Sequence, residues 1–232
     1  MTIEELRTAS DEIGIHLTEE MMEQLETYCS LLQEWNEKIN LTAIKEKDEI
    51  IEKHFHDSLL PLAGRRLEGT VADVGTGAGF PGLVWKIVFP ELPVALIEPT
   101  GKRCTFLKEV IDQLQLKGIT VYNERAEEHA QKHREEYSAV TARAVANLSI
   151  LAELCVPLLK KDGLFIAMKG SQGHQEAIAA QHAMKVLGCT LEEEKETSLS
   201  EGDHRVNLFY RKTGHTPIEY PRNYGRIKKQ PL

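Results

Sequence analysis

From Val71 onward the chain alternates short apolar runs with segments of helical period, and this alternation admits few folds. The runs TVADV, PVALIE, ITVYN, YSAVTARAV and LFIAMK are separated by GLVWKIVF, GKRCTFLKEVIDQLQL, AEEHAQKHREE and LSILAELCVPLLKKDG. Strand, helix, strand in repetition predicts a parallel sheet with helices on both faces, because parallel neighbours need long crossovers. One more helical segment, QEAIAAQHAMKVLG, precedes two strand patterns, TLEEEKETSL and HRVNLFYRK. Two consecutive strands ending such a pattern predict an antiparallel hairpin at the sheet edge.

The residues before the first strand read differently. In TEEMMEQLETYCSLLQEWNEKINL, Met21, Leu25, Tyr28, Leu32, Trp35 and Ile39 recur at spacings of three and four, with Thr18 as N-cap. Asn36 and Asn40 are read as ending that helix. A second segment puts Ile50, Ile51, Phe55 and Leu59 on one side before Pro61 and Gly64 close it. The expected organisation is a helical cap over residues 1–64 and an α/β domain over 65–232, whose last part, 211–232, is a basic tail.

Apolar content of 41% and charged content of 28% suit a water-soluble globule, and no stretch reaches the roughly 20 apolar residues of a membrane span. The N-terminus carries acids where a signal peptide needs a basic then apolar run, so a cytoplasmic location is expected; the chain is also expected to be a monomer or nearly so. Cys29, Cys104, Cys155 and Cys189 form no C-x-x-C pair and are read as reduced. No metal site is expected: His129 and His133 are spaced i, i+4, but on a hydrophilic segment read as an exposed helix and without H-E-x-x-H. His56-Asp57-Ser58 is discounted as a triad, and His54 and Asp57 are read as tying the cap to the sheet.

The loop VADVGTGAGFPG lies where a doubly wound sheet binds ligands, after its first strand. Two registers fit it. Gly77-x-Gly79-x-x-Gly82, with Glu98 closing the second strand, matches a dinucleotide fingerprint in which the acid holds a ribose. Gly75-x-Gly77-x-Gly79 preceded by Asp73 suits instead a cofactor with ammonium and sulfonium charges, since a carboxylate beside a pyrophosphate is unfavourable. Asp73 and the turn KKDGLFIAMKG favour the second register. Pro81 is expected in the first turn of the following helix.

Net charge is −8, yet residues 205–232 hold seven basic side chains against Glu219 alone, leaving −14 on the rest. Such a patch is the electrostatic footprint of a polyanion partner. Arg205, Arg222, Lys228 and Lys229 are the candidate phosphate contacts, with Tyr220 or Tyr224 stacking on a base.

The segments WNEKINLTAI, KHFHDSL, DVGTGAGFPG, KRCTFL, RAEE, TARAVANL and YPRNYG together resemble the bacterial small-subunit rRNA guanine-N7 methyltransferases, the glucose-inhibited-division-B family, over nearly the whole chain. The resemblance implies a class I, Rossmann-like S-adenosylmethionine methyltransferase fold with a seven-stranded, mostly parallel sheet. It also implies methylation of N7 of G527 in the 530 loop of 16S rRNA, in the small ribosomal subunit or its assembly intermediate. By the same resemblance the cofactor meets Gly75, Gly77 and Phe80, Glu98 at the ribose, Ala126 and Glu127 beside the adenine, and Arg143. The chain departs from many relatives at Glu98-Pro99, where they carry Asp-Ser, and at Tyr224 and Ile227.

The chemistry agrees by what is missing. Guanine N7 offers a lone pair and no proton, so no general base is needed, and neither an N-P-P-Y segment nor a Pro-Cys nucleophile pair occurs. Arg143 ends an apolar strand, where a charge is costly without a partner, and Lys169 ends the next; both are candidate catalytic residues, the alternatives being a structural ion pair for Arg143 and a solvated loop lysine for Lys169. Rival readings are a nicotinamide-dependent oxidoreductase, a non-catalytic RNA-binding assembly factor, and a methyltransferase for a small molecule or protein.

Overall fold

The computed structural model describes residues 1–199 and 202–232. Four strands in chain order, β1 (Val71–Val74), β2 (Val94–Ile97), β3 (Ile119–Tyr122) and β4 (Tyr137–Arg143), are joined by helical crossovers. They are followed by β5 (Leu159–Gly170), β6 (Cys189–Ser198) and β7 (His204–Lys212). The sheet order is β3-β2-β1-β4-β5-β7-β6, with β7 antiparallel to both β5 and β6 and the other pairs parallel. The hairpin therefore lies at an edge as expected, and its second strand is the inner one. Side chains decide this: β7 is apolar and buried at Val206, Leu208, Phe209 and Tyr210, whereas β6 exposes Glu192, Glu193 and Glu194, a row of charge that blunts an edge.

Crossover helices α5 (Gly82–Val88), α6 (Gly101–Gln113), α7 (Ala126–Lys132) and α8 (Leu148–Cys155) cover the two faces. The expected helix after β5 breaks at Ala180 into α9 (Gly173–Ala179) and α10 (Gln181–Leu187). Pro81 falls one residue before its predicted place: it is the N-cap of α5, which begins at Gly82.

The N-terminal residues form α1 (Ile3–Glu12), α2 (Glu19–Ile39), α3 (Lys47–Ile50), a π-helical turn over Ile51–His56 and α4 (Asp57–Leu59). Thr18 accepts from Met21 N as N-cap, and Asn40 closes α2 in a left-handed conformation with φ 49°. The buried face of α2 is Met22, Leu25, Tyr28, Cys29, Leu32 and Asn36, turned slightly from the predicted stripe, so that Met21, Trp35 and Ile39 lie at its margin. Asn36 is tolerated inside because its amide brackets Thr42, accepting from the backbone N and donating to the carbonyl. These helices share one core with α5, α6 and the sheet: Tyr28, Phe55, Phe80 and Phe106 pack ring against ring, and Trp85 donates to Ser58 O.

The tail is committed to the body more than its charge pattern suggests. Lys212, fully buried, donates to Glu135 and to the carbonyls of Val156 and Leu159, and Arg211 pairs with Glu192. Arg222, expected as a phosphate contact, is instead bonded by both its Nε and Nη2 to the fully buried carboxylate of Glu153 on α8. An unpaired Glu153 there would be costly, and the pair seats α11 (Tyr224–Lys229) with Ile227 in the core. Arg226, Lys228 and Lys229 remain exposed on α11.

The expected exposed pair, His129 and His133, is also corrected. His129 is buried against Tyr137 Oη at 2.7 Å and stacks on His133, and burial lowers its pKa to about 4. Among the described residues no cluster has the makings of a metal site, and no helix is long and apolar enough to cross a membrane.

Candidate functional site

Parallel strands leave their C-terminal ends on one rim, and β1, β2, β4 and β5 each deliver a chemically active residue there. The turn after β1 carries Gly75, Gly77 and Gly79 at φ 66°, 61° and 104°, conformations that other residues adopt only with strain. At Gly77 an added Cβ would meet nothing nearer than Gly75 O at 3.9 Å, so the backbone there faces open space. Tyr28, reaching across from α2, holds the far side of the turn by donating to Ala78 O.

Asp73 does not reach the surface of this cleft. One carboxylate oxygen accepts from Thr76 Oγ1 at 2.6 Å and from Gly82 N at 2.8 Å, while the other, Oδ1, is buried with no partner. This arrangement decides between the two glycine registers. The first amide of α5 is already satisfied by a carboxylate, and a pyrophosphate seated there would face a like charge. An orphaned buried oxygen beneath the loop fits a cationic cofactor. Gly82 has a different job: an added Cβ would come within 2.5 Å of Leu96 and 2.8 Å of Asp73, so it permits α5 to lie against the sheet.

Burial without a full set of hydrogen bonds raises the Asp73 pKa to about 6, against the opposing pull of its two donors and of Arg143. The folded chain therefore holds this proton at pH values where the unfolded chain has lost it, so stability falls as pH rises from about 4 to 6. For Asp73→Asn we expect that component, about 2–3 kcal/mol, to vanish. Denaturant titrations at pH 4.5 and pH 7 check it: wild type should lose ground to the variant at the higher pH.

Glu98, at the end of β2, is buried beside the loop and accepts from Gly77 N at 3.0 Å and Thr100 N at 2.8 Å, with Arg103 at 3.8 Å. Ala126 and Glu127 are buried in the first turn of α7, beyond β3. Arg143 ends β4, and Ala144 after it turns the chain with a left-handed φ of 54°, a strain of about 1 kcal/mol.

Two adjoining hollows share His54, Arg143 and Ala144 in their walls. The first, of about 180 Å³, is bounded by Gly75 to Ala78, Phe80, Leu41, Thr42 and Arg103. The second, of about 480 Å³, adds Lys169, Glu176, Arg205 and Asp57. Hollows of about 610 Å³ between α9, α10 and β6, and of about 460 Å³ at the opposite end of the strands, do not touch the glycine loop.

Arg143 is the junction, and the helical cap fixes it. Its guanidinium donates to Asp57 Oδ2 at 2.8 Å, to Lys53 O at 3.2 Å and to His54 Nδ1 at 3.1 Å, and lies 5.0 Å from the Phe80 ring centre. Accepting at Nδ1 leaves the His54 proton on Nε2, 2.9 Å from Thr42 Oγ1. Burial first, and the Arg143 charge second, depress its pKa to about 3, so this imidazole is neutral. Asp57 uses its other oxygen to take Arg205 Nε at 2.9 Å. Arg205 thus stands in the cavity wall, bound to a buried carboxylate, and not on the outer surface of a tail. Lys169 is also enclosed, donating to Ala146 O at 2.7 Å and ion-paired with Glu176 at 2.8 Å.

The predicted residues of the loop, Glu98, Arg143, Lys169 and Arg205 therefore converge on one rim. Arg222, Lys228 and Lys229 lie on the tail. Sequence reasoning read His54 and Asp57 as tying the cap to the sheet, which their bonds to Arg143 and Arg205 bear out, and missed Thr42, Thr76 and Glu176. Of these only Glu176 lies outside the segments that carry the resemblance: His54 and Asp57 fall in KHFHDSL, Thr42 in WNEKINLTAI and Thr76 in DVGTGAGFPG.

Solved structures with this fold include TYW2 from P. horikoshii in complex with MeSAdo, with TM-score 0.54 and 15% identity over 67% of this chain and 61% of that one. TYW2 from M. jannaschii in complex with AdoMet gives TM-score 0.52 and 13% identity, covering 62% and 68%. Relatives named ribosomal RNA small subunit methyltransferase G are far nearer in sequence. The protein of Halalkalibacterium halodurans is 46% identical, covering 100% of both chains, and that of Bacillus subtilis 44% identical, covering 100% of this chain and 99% of the other. The profile of the family described as GidB, rRNA small subunit methyltransferase G, matches residues 21–205. With a class I sheet, a glycine turn over a buried carboxylate and full-length identity above two in five, this chain belongs to the rRNA small subunit methyltransferase G family of S-adenosylmethionine-dependent enzymes.

Proposed function

We propose that the protein methylates N7 of a guanine, G527 in the 530 loop of 16S rRNA, in the small ribosomal subunit or its assembly intermediate. The observation that carries this reading is the meeting of a glycine-lined cradle and a charged cavity at Arg143. Family membership supports the substrate, since the relatives are named for the small-subunit RNA.

S-adenosylmethionine, when bound, supplies a methyl group activated by a sulfonium charge. In our reading Gly75, Gly77, Gly79 and Phe80 cradle it, Glu98 holds its ribose, Ala126 and Glu127 flank its adenine, and Asp73 favours its positive charge from beneath the loop. Because N7 has no proton to lose, the chain's own residues act by position and field. The neutral His54 is occupied on both nitrogens and orients Arg143 instead of moving a proton. Arg143 and Lys169 steer the base and its phosphates. The methylated base is a cation, and the carboxylate of Glu176 in the cavity wall offsets its charge, Asp57 being committed to two arginines.

The helical cap of residues 1–64 is, in this reading, a working part of the site because it brings Asp57 and His54 to a sheet of residues 65–232. We further read the enzyme as a cytoplasmic monomer. Supporting the monomer, the large apolar side chains exposed among the described residues are Val145, Ile178, Leu191 and Ile218 only.

The test is methyl transfer from radiolabelled S-adenosylmethionine to small subunits lacking the modification, with borohydride and aniline cleavage to map 7-methylguanine. One cut in the 530 loop is the expected result; label elsewhere would move the target, and none would remove it. A second expectation concerns α11. Replacing Lys228 and Lys229 by alanine should weaken RNA binding and reduce its salt slope by about 2, leaving cofactor affinity unchanged. Titrations across salt concentrations check this, and an equal fall in cofactor affinity would assign the two lysines to the fold.

A further inference from the structure

Guanine is distinguished from adenine by its Watson–Crick edge, which presents two adjacent donors, N1–H and the 2-amino group, to a single carboxylate. A base whose N7 faces the glycine-lined hollow turns that edge away from it, into the second cavity. The walls of the two hollows fix this direction: Arg143 and Ala144 border both, whereas Lys169, Glu176 and Arg205 border only the outer one. A selective carboxylate must stand there, stay charged and keep an acceptor for the base.

Three acids line the outer cavity, Asp57, Glu176 and Asp203. Both oxygens of Asp57 are taken by arginines, and the Asp203 side chain is half exposed, where water competes. Glu176 differs from both. A single oxygen, Oε2, forms an ion pair with Lys169 Nζ at 2.8 Å and accepts from Leu148 N at 2.7 Å, and Oε1 has no hydrogen-bond partner among the described residues. The ammonium of Lys169, itself fixed to Ala146 O, holds this carboxylate in place. The backbone bond from Leu148 ties it to the start of α8, so it stands on rigid structure at the end of β4 and β5.

We propose that Glu176 is the specificity-determining residue for the base, accepting N1–H and the 2-amino group of the target guanine while Lys169 and Leu148 N hold it in position. This rests on the methyltransferase reading above. No bond is made or broken by Glu176: its part is to bind and orient, and its negative charge also favours the cationic product.

The experiment compares small subunits reconstituted with guanosine or with inosine, which lacks only the 2-amino group, at the target nucleotide. Wild type should prefer guanosine by about 10- to 100-fold in kcat/KM, the worth of a hydrogen bond to a charged group. Glu176→Gln, whose amide repels one of the two donors, should lose most transfer to guanosine and bring the guanosine-to-inosine ratio close to one. S-adenosylhomocysteine affinity, read by calorimetry, should be unchanged. A wild type indifferent to inosine overturns the proposal whether or not the variant folds. A folded variant that is slower on both bases with the ratio retained overturns it too, since that is what a merely structural partner of Lys169 gives. Absence of transfer from wild type to guanosine subunits would instead overturn the underlying methyltransferase reading, which separates the two failures.

Discussion

Asp57→Ala is expected to reduce methyl transfer at least 100-fold while lowering stability by only about 2–3 kcal/mol. One buried carboxylate orients two guanidiniums that arrive from distant strands, Arg143 at 2.8 Å and Arg205 at 2.9 Å. Without it both carry uncompensated charge in the cavity and repel each other. They are partly solvated, so they can turn toward water, which keeps the folding penalty below that of a fully enclosed pair. Positioning, however, is lost. Asp57→Asn keeps an acceptor without the charge and should fall between the two. Single-turnover transfer, thermal denaturation and cofactor calorimetry separate the effects; transfer within threefold of wild type would show that Asp57 does not set the arginines.

Gly79→Ala is expected to abolish cofactor binding, with affinity down more than 100-fold and stability down by about 2–4 kcal/mol. Its φ of 104° is closed to a side chain, and a Cβ there would collide with Leu83 Cδ1 and stand 2.7 Å from Tyr28 Oη. Leu83 is in the α5 core, and moving Tyr28 breaks its bond to Ala78 O, so the loop shifts and the cap with it. Gly77→Ala is the control. It has a left-handed φ of 61° and an open surrounding, which predicts a fold cost of about 1 kcal/mol, yet its methyl group would protrude into the cradle. Both variants should bind cofactor weakly, but only Gly79→Ala should unfold early. Equal melting temperatures for the two would remove Tyr28 and Leu83 from the account of the loop.

Asp57 and Gly79 mark two kinds of information. The glycine turn is local: four glycines and a proline behind an apolar run force an exposed backbone, and the place of that run in an alternating pattern sets the turn at the ligand rim. Strands are legible in a similar way, because apolar runs of four to seven residues bounded by turn residues suit a buried strand, although the equally apolar GLVWKIV forms the helix α5. The inner position of β7 was also written locally, in the acidic outer strand beside it, though alternation alone does not use that signal.

Charge assignments were not local. Counting the last residues gave a basic tail, but Arg205, Arg211, Lys212 and Arg222 each find an acid in the body, and Arg205 meets Asp57 across 148 positions. His129 read as exposed because its neighbours in sequence are polar, whereas its neighbours in space are Tyr122, His133 and Tyr137.

The sequence by itself determined the sheet-and-helix order, the glycine cradle, the carboxylate beneath it and, by resemblance, the family. Those features follow from backbone freedom and apolar periodicity, which act over a few residues. Only the tertiary structure decided which charges serve the site and which hold the fold. A buried ion is tolerated solely where a partner meets it, and the partners of Arg143, Arg205, Lys169 and Arg222 come from elements that only folding brings together.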